Sequence, residues 1–389
     1  MMEQTVTLIL PTSAGTDNGP TTAPNPVEQR PRVVPGIESA QFKTRAGIPY
    51  VVIRNPAMNT YLKLEPHEFE LLALMDGTRN LPALVIEDFK RFHVLAPMRV
   101  ANLVNSFQEK HFLIDPLANP ASSVKQSQSL PERLVRAFLY TEFPLRTMDA
   151  RVSRWYHNWG KFFFMRLAVV VMVTLGVLGP ILFAVELGRG RYTLFQSASS
   201  SIWMLLLYVG LELLVLTIHE LGHALAVKHA GRYVIRAGLL LYYGAPAAFV
   251  DTTDIWMSPR RMRLLTSFAG PLTGFIIGGI CALLAFFLPE GPVGAFCFAW
   301  GLLFLINNMM NFNPLLELDG YYLLIDWIEK PMLRARAFAF VRGPLWAKLR
   351  RREPLTGEEK FFALFGLASI LWSLFSIYIA LQFWTLQLQ

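Results

Sequence analysis

The sequence predicts an all-α polytopic membrane protein, with about five transmembrane helices and a re-entrant loop, joined to a small α+β, winged-helix-like soluble domain at its N-terminus. Three observations predict it. Hydrophobic residues make up 53% of the 389 and charged residues only 16%, which is too apolar for an ordinary soluble chain. Five apolar stretches are each long enough to cross about 30 Å of hydrocarbon. Between residues 40 and 118 the apolar positions instead follow short alternating and helical patterns.

Residues 1–39 are rich in Thr, Pro, Asn and Gly near their start, as in Pro20-Thr21-Thr22-Ala23-Pro24-Asn25-Pro26. Without hydrophobic periodicity they read as a disordered tail. Residues 40–118 read as a folded domain. Tyr50–Arg54 and Thr60–Leu64 are two strands around the turn Asn55-Pro56-Ala57-Met58-Asn59. Pro66–Met75 is a helix with Phe69, Leu72 and Ala73 on one side, ended by Asp76-Gly77. Helical patterns follow at Leu81–Phe92 and Pro97–His111. A hairpin with three helices is a winged-helix arrangement. Pro97–His111 carries no basic recognition face, so nucleic acid is not an expected partner.

Residues 119–160 are a polar linker and an interfacial amphipathic segment. Across 132–166 the chain is basic, and Trp155 and Trp159 suit the membrane interface. The spans run Leu167–Val185, Ile202–Val227, Leu264–Leu288, Val293–Asn313 and Phe361–Leu386. The apolar run 237–250 is too short to span and is broken by Gly and Pro. It reads as a re-entrant or interfacial loop with some strand character. Residues 331–360 form a basic loop carrying Arg334, Arg336, Arg342, Lys348 and Arg350 to Arg352. That loop, the basic approach to the first span and the cluster Lys228 to Arg263 all fall on one side if there are five spans. An excess of Lys and Arg marks the cytoplasmic side, so the N-terminus is expected in the cytoplasm. The net charge of +8 then belongs beside anionic lipid rather than on nucleic acid. Cys281 and Cys297 lie in apolar stretches and do not suggest a disulfide-held secreted fold. No basic region followed by an apolar core and cleavage site is read at the start of the chain.

The chemistry concentrates at His219-Glu220-Leu221-Gly222-His223, inside the second span. Two histidines four residues apart lie on one helical face, where both imidazoles can hold one zinc ion. Ionisable groups are expensive in a bilayer and mark function. A third ligand must come from elsewhere. Asp319 is the best candidate, in Asn313-Pro314-Leu315-Leu316-Glu317-Leu318-Asp319-Gly320 after the fourth span. Pro314 breaks the helix there, and Gly320 permits an unusual turn. His223 lies about 8 Å of helix rise from Lys228, so the pentad and Asp319 approach one side of the membrane. Glu220 points about 100° away from His219 and is placed as general base towards water, then as acid towards a leaving amine. Asn307, Asn308, Asn311 and Asn313 are candidates to bind a substrate backbone, with helix-to-helix hydrogen bonding as the alternative for each. Glu212 is expected to be a hydrogen-bonded structural group ahead of a role in water or substrate access. Asp251 and Asp254 are expected to close a loop turn, and Glu317 to be solvated. His67, His93, His111, His157 and His229 are expected to be ordinary domain or interface residues.

HELGH in a membrane helix, Ala269-Gly270-Pro271 in the next span, and Asn313-Pro314 through Asp319-Gly320-Tyr321-Tyr322 resemble the site-two protease family of intramembrane zinc metalloproteases. Phe249-Val250-Asp251-Thr252-Thr253-Asp254 and the LDGYY ending look like its bacterial peptide zinc metalloprotease subgroup. The resemblance covers about 160–330 and implies a metalloprotease core over 161–330, with Zn2+ on His219, His223 and Asp319 and Glu220 catalytic. One departure is Gly274, where the family often has Asn. Residues 40–118 resemble a PqqD-type peptide-recognition domain through the hairpin and Leu74-Met75-Asp76-Gly77-Thr78-Arg79, which implies capture of a peptide along a strand edge. The expectation is an intramembrane zinc metalloendopeptidase of the bacterial cytoplasmic membrane. Its partners are the lipid bilayer, a peptide or membrane-protein substrate, and an export-complex protein. The alternatives are a catalytically silent subunit of a peptide export or maturation complex, and a metal-ion carrier. An intact Glu220 argues against both.

Overall fold

The computed structural model describes residues 6–7, 30–114, 138–192, 202–242 and 244–387. The linker expected at 119–131 and most of the tail expected at 1–39 lie outside the described residues. The chain divides into two compact units, Met1–Ala137 with Thr253–Pro259, and Phe138–Thr252 with Arg260–Gln389.

The first unit is a small sheet covered by helices. Its strands are β1 (Val6–Thr7), β2 (Glu38–Lys43), β3 (Pro49–Asn55) and β4 (Thr60–Leu64), antiparallel and in that order across the sheet. β3 lies between two strands, so it is buried from Tyr50 to Asn55. That explains its unbroken apolar run. Helices α1 (Pro66–Ala73), α2 (Leu81–Phe92) and α3 (Pro97–Glu109) follow. The Asn80 side chain accepts from the Ala83 amide at 3.1 Å and starts α2, which ends at His93 in the left-handed region. Ile53, Leu84, Val100, Phe107 and Phe112 are fully buried together.

The hairpin and the three helices appear where the sequence predicts them. Residues 30–39 depart from the tail reading. The Val33 amide donates to the Met75 carbonyl at 2.9 Å and Val34 to Phe112 at 3.0 Å, and β2 pairs along β3. Glu-Ser-Ala-Gln-Phe-Lys has little strand propensity of its own. The open edge of β3 recruits it.

Residues 253–259 lie far from the first unit in sequence yet fold with it. Asp254 has no exposed surface. It accepts from the Tyr61 hydroxyl at 2.7 Å and faces the Arg54 Nε at 3.2 Å. Arg54 also reaches Glu38 and Asn59, each at 3.2 Å. The sequence suggests a loop turn for Asp254. The structure makes it a buried anion, because its partners, Arg54 on β3 and Tyr61 on β4, lie some 200 residues earlier.

The second unit holds five helices long and apolar enough to cross a membrane. They are α5 (Arg166–Arg189), α6 (Ile202–His229), α7 (Arg260–Phe287), α8 (Pro292–Asn311) and α12 (Gly357–Gln387). Shorter helices are α4 (Met148–Asn158), α9 (Asp319–Ile328), α10 (Leu333–Arg342) and α11 (Pro344–Arg351). α7 is the central element, packed against α5, α6, α8 and α9. Small residues permit this. A Cβ on Gly279 would come within 2.3 Å of the Leu175 carbonyl oxygen, so the α5 and α7 backbones touch.

The run 237–250 forms a hairpin, β6 (Ala237–Tyr242) and β7 (Ala245–Val250). A third strand, β5 (Tyr140–Pro144), completes an antiparallel sheet in the order β5, β6, β7. β5 lies within the segment read as amphipathic and interfacial, in which Met148–Asn158 is an α-helix. Five residues of mixed polarity do not announce a strand. Pairing with β6 creates it. β7 is an edge strand, where Pro246 is tolerated because it withholds a donor only from the outer side or ladder end.

Replacing Arg54 with Met leaves Asp254 buried without its cation, at a cost of roughly 3–5 kcal/mol. Hydrogen exchange of the full-length protein is expected to show faster exchange of 253–257 in this variant and unchanged exchange in α8.

Candidate metal centre

His219 and His223 lie on α6, one turn apart and both buried. Their Nε2 atoms are 3.2 Å apart. Asp319, the first residue of α9, presents Oδ2 at 2.8 Å from His219 Nε2 and Oδ1 at 3.3 Å from His223 Nε2. Among the described residues this is the one group of His, Cys, Asp and Glu side chains able to hold a metal ion, with ligand atoms all within 4.8 Å of each other. α8 ends at Asn311, and the backbone turns through Asn313-Pro314 so that α9 begins with Asp319 beside His219.

The second contacts of these side chains fix the donor atoms. His223 Nδ1 lies 2.7 Å from the Thr266 carbonyl oxygen on α7. A carbonyl only accepts, so Nδ1 carries the proton and Nε2 keeps its lone pair. The Asn311 amide donates to Asp319 Oδ2 at 2.6 Å and lies 3.3 Å from His219 Nε2.

The set fits zinc. Nitrogens about 2.0–2.1 Å from a tetrahedral ion stand roughly 3.3 Å from one another, close to the observed 3.2 Å. Lone pairs converging at that distance call for a cation between them. Space is kept for one by Gly270 on α7. A Cβ there would lie 2.2 Å from His223 Nε2 and 2.6 Å from His219 Nε2.

Glu220 follows His219 and accepts from the Val250 amide at the end of β7. It lines a cavity of about 670 Å3 together with His219, Asp319, Asn307, Asn308 and Asn311. Of the asparagines named from sequence, Asn307 lines the cavity, while Asn311 is engaged with Asp319. The Asn313 Oδ1 accepts from the Leu315 amide at 2.9 Å, an Asx turn, and Asn313 is not among the residues that line the cavity.

Asn308, also a candidate from sequence, lines the cavity beside Asn307. It is buried and donates to the Pro271 carbonyl at 3.1 Å. A Cβ on Gly274 would lie 2.4 Å from its Oδ1, so α8 delivers an amide into the space that Gly274 leaves on α7. The unusual residue in the sequence was Gly274, and its meaning required the neighbouring helix. Gly320 likewise makes no left-handed turn. It sits in α9 because a Cβ would meet the Phe312 carbonyl oxygen at 2.1 Å.

Two substitutions separate these roles. Gly270→Ala is expected to abolish metal binding while the helical circular dichroism is retained. Asn311→Leu is expected to weaken zinc affinity about 10- to 100-fold. Metal content after equilibrium dialysis against zinc buffers checks both.

No family model and no solved structure matches the chain. It is 24% identical over 115 residues to a protein of Bacillus subtilis (strain 168) named "Putative peptide zinc metalloprotease protein YydH". The match covers 29% of this chain and 44% of that protein, so less than half of the relative is spanned. The chain is thus an integral membrane protein by its five apolar helices, with similarity to a protein named for zinc proteolysis.

Proposed function

We propose that this protein is a zinc metalloendopeptidase of the site-two type. It hydrolyses a peptide bond in or near a membrane segment, or in a small precursor peptide. The observation that carries this reading is Glu220: a carboxylate adjacent in sequence to one imidazole of a His-His-Asp set, facing the same cavity.

His219, His223 and Asp319 would hold the ion, with Thr266 and Asn311 fixing the orientation of two of them. Zinc in that position supplies Lewis acidity to a scissile carbonyl and acidifies a water. Glu220 accepts the proton of the attacking water on its carboxylate and returns it to the nitrogen of the leaving amine. The Val250 amide keeps this carboxylate in place. Leu213, Leu216 and Phe304 give the cavity apolar walls that suit an apolar peptide. β7, with no strand on its outer side among the described residues, offers main-chain groups to such a peptide in extended form.

The remaining assignments belong to the same reading. On this reading the membrane is a bacterial cytoplasmic membrane with the N-terminus inside, the side that an excess of Lys and Arg marks. Residues 40–118 act as a PqqD-like module that captures the substrate by strand addition, and an export-complex protein receives the product. A silent subunit or a metal carrier would have no use for Glu220 beside the ligands.

The test uses purified full-length protein in detergent with unfolded apolar peptides, and mass spectrometry of the products. Glu220→Gln is expected to keep stoichiometric zinc and to slow cleavage by about two to four orders of magnitude. Asp319→Ala is expected to lose the metal. Chelation should abolish cleavage in the wild type, and added zinc should restore it. Undiminished cleavage by zinc-loaded Glu220→Gln protein would refute the assignment.

A further inference from the structure

The cavity beside the metal centre continues along α6, away from Asp319, to Glu212 and Tyr208. Glu212 lies two turns before His219 on the same face, in the middle of an apolar span. Its side chain is hydrogen-bonded to the Tyr208 hydroxyl. Among the described residues no Lys, Arg or His forms an ion pair with it. A carboxyl in an apolar span is costly unless something compensates it. A structural group would be tied to a neighbouring helix, whereas this one faces the cavity.

The charge of the lining points the same way. Glu212, Glu220, Glu317 and Asp319 line the cavity, and no Lys or Arg does. The chain as a whole carries a net charge of +8. Its basic residues are thus excluded from the one space where its acidic residues gather. Zinc would balance the charge at the Asp319 end. Glu212 is eight residues from Glu220, about 12 Å along the helix, beyond the reach of that compensation. In an extended peptide 12 Å is three to four residues.

We propose that Glu212 makes the cavity selective for peptides carrying a cation three or four residues from the bond at the metal centre. The cation is a Lys or Arg side chain or a free N-terminal amine. The inference rests on the proteolytic reading for its reference point, the bond at Glu220. Glu212 is then a specificity residue: its carboxylate and the Tyr208 hydroxyl accept hydrogen bonds from the cation as it leaves water, and the apolar walls strengthen that pairing.

Binding tests this without cleavage. Zinc-loaded full-length Glu220→Gln protein in detergent is titrated with fluorescein-labelled peptides of Leu, Ala and Phe. Each carries one Lys or its uncharged isostere norleucine, stepped along the sequence, with free or acetylated N-termini. At the best position Lys is expected to bind about tenfold more tightly than norleucine. Adding Glu212→Gln should bring that ratio close to one, and Glu212→Lys should reverse it in favour of Glu-bearing peptides. The acetylated series separates a side-chain cation from a terminal amine. Equal binding of Lys and norleucine peptides at every position overturns the proposal, as does a preference that survives Glu212→Gln. A preference that depends on Glu212 in a protein whose wild type cuts none of these peptides would retain the cation site and remove the proteolytic reading.

Discussion

The second unit is organised around the approach of a backbone to two imidazoles. α7 passes so close to α6 at Gly270 that no side chain fits between them. That approach brings the Thr266 carbonyl to His223 Nδ1 and so determines which nitrogen keeps a lone pair. It also makes α7 the middle of the bundle, with α8 on another face carrying Asn308 and Asn311. A larger residue at this crossing would separate α6 from α7 and leave His223 without its hydrogen-bond acceptor. The contact between α5 and α7 at Gly279 follows the same rule at the opposite end of the helix. In an apolar solvent, where burying Leu brings no advantage over lipid, such close contacts and a few hydrogen bonds hold helices together.

The polar groups inside this unit divide according to how they are compensated. His219, His223 and Asp319 compensate one another and converge on a site for a cation. Arg263 reaches Asp326 at 2.8 Å, tying the start of α7 to α9 below the site. Glu186 at the end of α5 is buried against Arg189 at 2.9 Å. Glu212 is bonded to a tyrosine hydroxyl and has an open space before it. In the first unit Asp254, with no exposed surface, is paired with the buried Arg54. That burial leaves the pair a structural part. The difference between Asp254 and Glu212 is that one carboxylate has its cation and the other faces a cavity.

The span boundaries, the hairpin and helices of the first unit, and the HELGH pentad could all be read from local pattern. Apolar length determines a span, and a four-residue interval determines a shared helical face. Less local features were misread or passed over. Asn311 and Asn313 look alike on paper, two residues apart at the end of a helix. One turns to Asp319 and the other to its own backbone. Gly320 looked like a turn former and proved to be a contact point with Phe312. Tyr140–Pro144 looked like part of an interfacial segment and forms a strand, because β6 offers an unpaired edge. Each outcome depends on a neighbour that is distant in sequence.

Composition and periodicity by themselves determined that this chain carries five membrane-length helices and a small N-terminal sheet domain. Spacing determined that two histidines share one face of the second span. These are properties of a helix and a bilayer, and they need no partner. Only the tertiary structure decided that Asp319 meets both imidazoles, that Asn308 enters the space above Gly274, and that Asp254 folds with residues near position 54. The physical reason is that a hydrogen bond or a ligand set acts over about 3 Å, and only the folded chain brings residues so far apart in sequence within that distance.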